Sequence, residues 1–205
     1  ADDVIGTLVE QYRSDPTLTI IIASGDMDTL QLVEDKKVQV FTLKKGITDT
    51  ILYDEDAVIA RYGFTPAQLV DYKGLRGDPS DNIIGVHGIG EKTATNIIKT
   101  FGSIEGLYTA LEADPHNAKK AGVSDRMTAI LLEHKDDAFF SKTLATIRRD
   151  APVTFALPKQ SYRDAVNQEK ILAKVAEYEF RSLLPRIRKL FAFEEQTPVE
   201  EVDPT

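Results

Sequence analysis

Six aspartates fall in three short groups: Asp2-Asp3, Asp26-Met-Asp28 and Asp78-Pro-Ser-Asp81. Carboxylates without histidine or cysteine partners are hard oxygen donors, suited to Mg²⁺ or Mn²⁺ rather than zinc. The chain has no cysteine, and its three histidines (His87, His116, His134) match no metal-ligand spacing. Two such cations held about 4 Å apart can activate a water and stabilise the leaving oxygen of a phosphodiester. The catalytic candidates are therefore Asp26, Asp28, Asp78 and Asp81, and the metal-ligand candidates are these four with Asp2 and Asp3. Taken singly, Asp-x-Asp and Asp-x-x-Asp are also ordinary turn and helix-capping patterns.

What gives the acids weight is their neighbour, Gly85-Val-His-Gly-Ile-Gly-Glu-Lys-Thr-Ala-Thr-Asn-Ile-Ile-Lys99. Gly85, Gly88 and Gly90 permit a tight hairpin and close approach of another backbone. The hairpin opens onto a helix whose apolar positions Ala94, Ile97 and Ile98 share one face. Free N–H groups at that helix start favour an anion, and Lys92 adds a point charge. This is a helix-hairpin-helix pattern for gripping a DNA phosphate, with Gly85, Gly88, Ile89, Gly90, Lys92 and Thr93 as the expected contacts. No side chain here offers a fork for a base edge, so recognition is expected to ignore sequence. A nucleotide P-loop requires Gly-Lys-Ser/Thr, and Glu91 breaks that string. A plain glycine-rich turn between helices remains the bland alternative.

The elements that must position these groups can be read in outline. Ala1, Val4, Ile5, Leu8, Val9 and Tyr12 recur at helical spacing. The β-branched run Leu18–Ala23 reads as a buried, parallel strand, which puts Asp26 and Asp28 at its carboxyl end, where α/β sheets gather their sites. Residues 37–41 alternate as a second strand, and residues 51–53 suit a third. Asp54 and Thr65 look like helix N-caps, the latter with Pro66 at the first helical position. Ser103 and Ser124 look like further caps, the second opening a helix over about 125–140. Residues 151–156 suit an edge strand and residues 168–184 a helix. The tail from Glu194 is rich in acids and proline and is expected to be a linker.

The formal charge is −8, which by itself argues against a nucleic-acid partner. Five acids (Glu194, Glu195, Glu200, Glu201, Asp203) lie in the tail, and others lie where a cation would offset them. No apolar run reaches the length of a membrane span, and the absence of cysteine fits a reducing, cytoplasmic setting.

Ala-Asp-Asp at the start, Ser-Gly-Asp-Met-Asp-Thr-Leu-Gln-Leu-Val (24–33), Asp-Tyr-Lys-Gly-Leu-Arg-Gly-Asp-Pro-Ser-Asp-Asn-Ile-Ile-Gly-Val (71–86) and Gly-Ile-Gly-Glu-Lys-Thr-Ala (88–94) strongly resemble the 5′–3′ exonuclease domain of bacterial DNA polymerases of type I, in the flap-endonuclease superfamily. The resemblance runs from residue 1 to about 192. It implies an α/β, PIN-like (Rossmann-like) parallel sheet core followed by a mainly helical subdomain. Asp2, Asp3, Asp26 and Asp28 would ligate metal, and Asp78 and Asp81 would hold a second ion. The hairpin would be a helix–three-turn–helix that binds duplex, with backbone carbonyls around Val86 and Ile89 holding K⁺. The activity would be removal of 5′ ends or flaps from branched or nicked DNA in replication and repair. Members of the family begin well upstream, with further carboxylates, two sheet strands and a basic helical arch. This chain is thus expected to be a piece, holding 1–77 of the core, a hairpin subdomain over 78–192 and a linker over 193–205; the parent is either free-standing or the N-terminal part of a polymerase, and the acidic linker favours the polymerase. The alternative expectation is a duplex-binding module without catalysis.

Overall fold

The computed structural model describes residues 1–46 and 48–191. The expected linker over 193–205 lies outside them. Chain contacts divide the molecule into two units, Ala1–Thr154 and Phe155–Thr205.

The first unit opens with helix α1 (Asp2–Tyr12), whose buried side carries Gly6 and Val9. Strand β1 (Ile20–Ala23) runs parallel to β2 (Val38–Lys45), with Ile22 beside Val40. Strand β3 (Asp49–Tyr53) returns antiparallel to β2. The sheet is therefore mixed rather than parallel throughout, because only three residues separate β2 from β3, too few to cross over to a parallel neighbour. Its order is β1-β2-β3, leaving β1 at an edge. Alternate side chains Val38, Val40 and Tyr53 face the core, while Ile21, Phe41, Leu43 and Leu52 are exposed on the other face. The run 18–23 is thus half-buried, not buried on both sides as its unbroken apolar sequence suggests.

Asp54 caps α2 (Glu55–Tyr62) by accepting from the Ala57 N–H, and Gly63 ends it in the left-handed region. Pro66–Gln68 form a 3-10 turn at whose start Gln68 Oε1 accepts from the Thr65 N–H at 2.9 Å. The turn leads into α3 (Leu69–Arg76). After the site loop come α4 (Glu91–Phe101) and α5 (Ile104–Ala113), the latter capped by Ser103.

The stretch expected as one helix over 125–140 is two, α6 (Asp125–Glu133) and α7 (Lys135–Ala145). The break is at His134, φ −103° and ψ 28°. There the Tyr108 hydroxyl donates to the Leu131 carbonyl at 2.8 Å. Leu30, Leu75, Ile97, Ile104, Leu107, Leu111 and Leu131 are fully buried in one core with the sheet residues. Residues 151–156 form no strand. Pro152 removes a ladder donor, and the Ala151 N–H goes instead to the Thr7 hydroxyl at 2.9 Å.

The second unit holds α8 (Tyr162–Ala165), α9 (Gln168–Glu177) and α10 (Leu184–Phe191), with no fully buried residue in any of them. The helix expected over 168–184 stops early. Glu179 sits at φ 55°, a left-handed residue that turns the chain before α10 begins. Among the described residues no helix is long and apolar enough to cross a membrane.

Candidate metal and nucleic-acid site

Two chain reversals build the site. At the first, β1 ends and the Ser24 hydroxyl accepts from the Asp26 N–H at 3.0 Å. Asp26 Oδ1 then accepts from the Asp28 N–H at 2.9 Å, capping the 3-10 turn Met27–Leu32. Asp26 thus acts as the cap that its spacing also allowed, while Asp28 is turned inward and half-buried. At the second, α3 ends at Gly77, and residues 78–83 close a small loop. The Asp78 N–H donates to the Ile83 carbonyl at 2.8 Å, and the Ile83 N–H returns the bond at 2.9 Å. Asp78 caps Pro79–Asp81 by accepting from the Ser80 N–H at 3.0 Å.

The two reversals meet. Carboxylate oxygens of Asp28, Asp78 and Asp81 all lie within 4.8 Å of one another. Lys73, from α3, inserts its ammonium between two of them, donating to Asp28 and sitting 2.6 Å from Asp78 Oδ2. A cavity of about 540 Å³ opens here, lined by Asp26, Asp28, Asp78, Lys73, Arg76 and Tyr72 among others. Asp26 is therefore on its wall, outside the tight trio. Asp2 and Asp3 are not brought into the trio or the cavity lining. Asp3 Oδ1 instead accepts from the Arg148 N–H at 2.9 Å, tying α1 to the chain after α7.

Electrostatics follow from this crowding. Burial pushes the Asp28 carboxyl up, and the charges of Asp26 and Asp81 push the same way, against the help of Lys73. At Asp78 the balance runs the other way. Burial opposes its charge too, but hydrogen bonds from Lys73 and Ser80 hold it below the usual carboxylate range. Lys73 is disfavoured by burial, yet its two carboxylates win and raise it. Asp26, Asp28, Asp78 and Asp81 set four carboxylates against Lys73 and Arg76, and the ligand atoms of the trio are all carboxylate oxygens, a set that fits a hard divalent cation.

The hairpin adjoins this loop. Gly85 lies at φ 68°, and a Cβ there would meet the Gly77 nitrogen at 2.2 Å, so two backbones touch where no side chain can fit. The Val86 N–H donates to Leu75 at the end of α3 (2.8 Å), and the Ile89 N–H to Val86 (3.0 Å). Val86 and Ile89 bury their side chains. Ala94, Ile97 and Ile98 are fully buried, so the start of α4 is fixed rigidly. Gly90 differs from expectation: it is extended, φ −87° and ψ 178°, with open space where a Cβ would stand. Its missing side chain leaves the α4 N-terminus without a side-chain cap, so its first N–H groups have no side-chain acceptor. Lys92 is exposed beside them and Thr93 is half-buried.

Lys73 went unforeseen. A lone lysine on a helix carries no sequence signal, and only the meeting of the two loops gives it a role.

The family models match this chain in two adjoining blocks. Residues 1–63 match the model described as 5′-3′ exonuclease, N-terminal resolvase-like domain, and residues 64–169 match 5′-3′ exonuclease, C-terminal SAM fold. The chain belongs to the 5′–3′ exonuclease family. The two blocks meet between α2 and α3. The division expected at 77/78 coincides neither with that junction nor with the end of the first unit at Thr154. Similar proteins within reach of this family include the DNA polymerase I of Bacillus caldotenax, 39% identical over 196 residues, which are 96% of this chain and 21% of that protein. The DNA polymerase I of Bacillus subtilis (strain 168) is 41% identical over 196 residues, again 96% and 21%. This chain thus spans about a fifth of the length of those polymerases. Among solved structures, the D15 protein of bacteriophage T5 crystallised with metal ions aligns with a TM-score of 0.57 at 24% identity, covering 71% of this chain and 49% of that one. A T5 flap endonuclease complex with DNA and metal ions aligns with a TM-score of 0.57 at 23% identity, covering 70% and 48%. These two likenesses concern the fold alone.

Proposed function

We propose that this chain is the metal- and duplex-holding part of a structure-specific 5′ nuclease that hydrolyses DNA phosphodiesters at 5′ ends and flaps in replication and repair. The supporting observation is the trio Asp28, Asp78 and Asp81, with ligand oxygens within 4.8 Å of one another, on the loop adjoining an uncapped helix N-terminus. Asp28, Asp78 and Asp81 would hold Mg²⁺ or Mn²⁺, with Asp26 on the cavity wall reaching a second ion. When bound, such cations supply an activated water and charge stabilisation for the leaving oxygen. The chain's own groups do the rest. Lys73 keeps the carboxylates paired without metal, and the N–H groups after Gly90, with Lys92, hold a phosphate of the duplex. Gly85 and Gly88 shape the approach for Ile89 and Thr93, and carbonyl oxygens at Val86 and Ile89 would take K⁺. Asp2 and Asp3 would serve a metal only with ligands beyond the trio. The likeness to bacterial DNA polymerases supports a linked polymerase domain, branched or nicked duplex as partner, and a cytoplasmic setting.

The test is cleavage of a labelled 5′-flap duplex by the full-length protein. Mg²⁺-dependent product should fall at least about 100-fold in Asp28→Asn or Asp26→Ala, the scale on which a positioned electrostatic group contributes. Undiminished cleavage in both would overturn the assignment. A second reading, duplex binding without catalysis by this chain alone, is favoured by the placement of Asp2 and Asp3 away from the trio. It requires salt-sensitive duplex binding, weakened by Lys92→Ala, with no strand cut in Mg²⁺.

A further inference from the structure

Residues 155–191 carry a surface that the proposed site does not use. They hold eight Lys and Arg against four Asp and Glu, whereas residues 1–154 hold seventeen against twenty-four. Overall acidity therefore conceals a segment of opposite sign. From Phe180 to Phe191 there is no acid, and Arg181, Arg186, Arg188 and Lys189 follow in close order. Arg181, Arg186 and Lys189 are exposed. Among the described residues the ion pair of this unit joins Lys174 to Glu177 at 2.6 Å, which leaves those four cations without a carboxylate.

The apolar residues of the unit divide: Phe180 and Leu190 stay exposed at 50% and 66%, while others turn inward. Ile171, Leu172 and Val175 on α9 and Leu184 and Ile187 on α10 are half-buried. Leu172, Val175, Leu184, Arg181 and Arg188 line one cavity of about 500 Å³, so Arg181 is exposed at its rim. The aliphatic sides of α9 and α10 thus face each other, while Arg186 and Lys189, three residues apart, share the side open to solvent. Leu190, beside Lys189, is exposed as well, so binding to an anionic lipid surface is the competing outcome of the test.

We infer that the surface of Arg181, Arg186 and Lys189 is a second sequence-independent contact for duplex DNA, separate from the hairpin. The occupant follows from charge. A polyanion approaching an otherwise acidic chain gains most where unpaired cations cluster, and each phosphate so neutralised releases counterions. Guanidinium groups at Arg181 and Arg186 match phosphate geometry. The inference rests on the reading of the hairpin as a duplex grip, since that reading brings a duplex to the chain.

The experiment is a salt titration of binding between full-length protein and a nicked duplex in EDTA, followed by fluorescence anisotropy. Joint substitution Arg181→Gln, Arg186→Gln and Lys189→Gln should lower the slope of log affinity against log salt by about 2 to 3, at about 0.9 per lost phosphate contact. Arg181→Lys with Arg186→Lys should keep the original slope, because charge rather than shape sets it. A matched control, Lys44→Gln, Lys45→Gln and Lys120→Gln, should leave it unchanged. An unaltered slope in the first variant, or an equal fall in the control, overturns the inference. So does a variant that binds duplex normally but no longer sediments with phosphatidylglycerol vesicles. Lys92→Ala run alongside separates the two ideas: if it binds normally while the triple variant loses slope, the hairpin grip fails and this contact stands.

Discussion

At the scale of single residues the decisive arrangement is an ammonium lodged among carboxylates. Lys73, Asp28 and Asp78 keep side-chain exposures of 11%, 15% and 14%, so little water screens them. Removing one partner of such a group leaves charge uncompensated, a loss of about 3 kcal/mol or more. Lys73→Met should therefore melt well below the parent without metal, and Mn²⁺ should raise its melting temperature more than it raises the parent's. Equal increments in the two proteins would mean that a cation does not take the place of the ammonium. The acids themselves were legible, because Asp-x-Asp after a strand and Asp-x-x-Asp before a glycine hairpin are local patterns. Which of the six would converge was not. Asp3 looks the same in sequence as Asp28, yet its oxygen is taken by the Arg148 N–H, 145 residues away along the chain. Gly90 shows the converse: its type was legible, but its service is an absent side chain and not a strained backbone.

At the scale of elements, α3, α5 and α7 are joined by one polar link, and the hairpin depends on it because α3 and α7 flank the loop. Asp71 on α3 accepts from the Ile104 N–H at 2.9 Å, and Lys142 on α7 reaches Asp71 at 2.6 Å and Glu105 at 2.9 Å. From the same helix, Ser141 accepts from the Gly85 N–H at 3.0 Å. Burial opposes ionisation of Glu105, but Lys142 outweighs it and holds the carboxyl below its ordinary value. A depressed carboxyl contributes stability above its unfolded value of about 4.3 and loses it as pH falls through the lower folded value. Lys142→Met should thus cost about 3 kcal/mol at pH 7, chiefly through the buried Asp71. The Glu105 part of that deficit should vanish in acid. Melting curves of both proteins at pH 7 and pH 3 test this, and a gap that does not narrow in acid would refute the link. Helix starts were legible here through Asp54, Ser103 and Ser124, each of which accepts a first-turn N–H. Helix breaks were not. Apolar spacing runs straight through His134 and Glu179, where the backbone itself leaves the helical region, at φ −103° and ψ 28° in one case and φ 55° in the other.

At the scale of the whole molecule, contacts separate residues 1–154 from 155–205, and the join follows a stretch without ladder bonds around Pro152. Limited proteolysis should cut first between about 155 and 161, leaving an N-terminal fragment that keeps its cooperative melt. Initial cleavage within α3, the hairpin or α4 would contradict that division. The family was legible at this scale because its motifs lie in order along the chain. The mixed strand directions were not, since an alternating pattern marks a strand without saying which way its neighbour runs. The sheet carries one more consequence. Strand β1 has a single hydrogen-bonded neighbour, β2, and the exposed face beside it presents Ile21, Phe41, Leu43 and Leu52. Among the described residues an open strand edge therefore lies next to an oily face, the kind of surface to which a further strand adds.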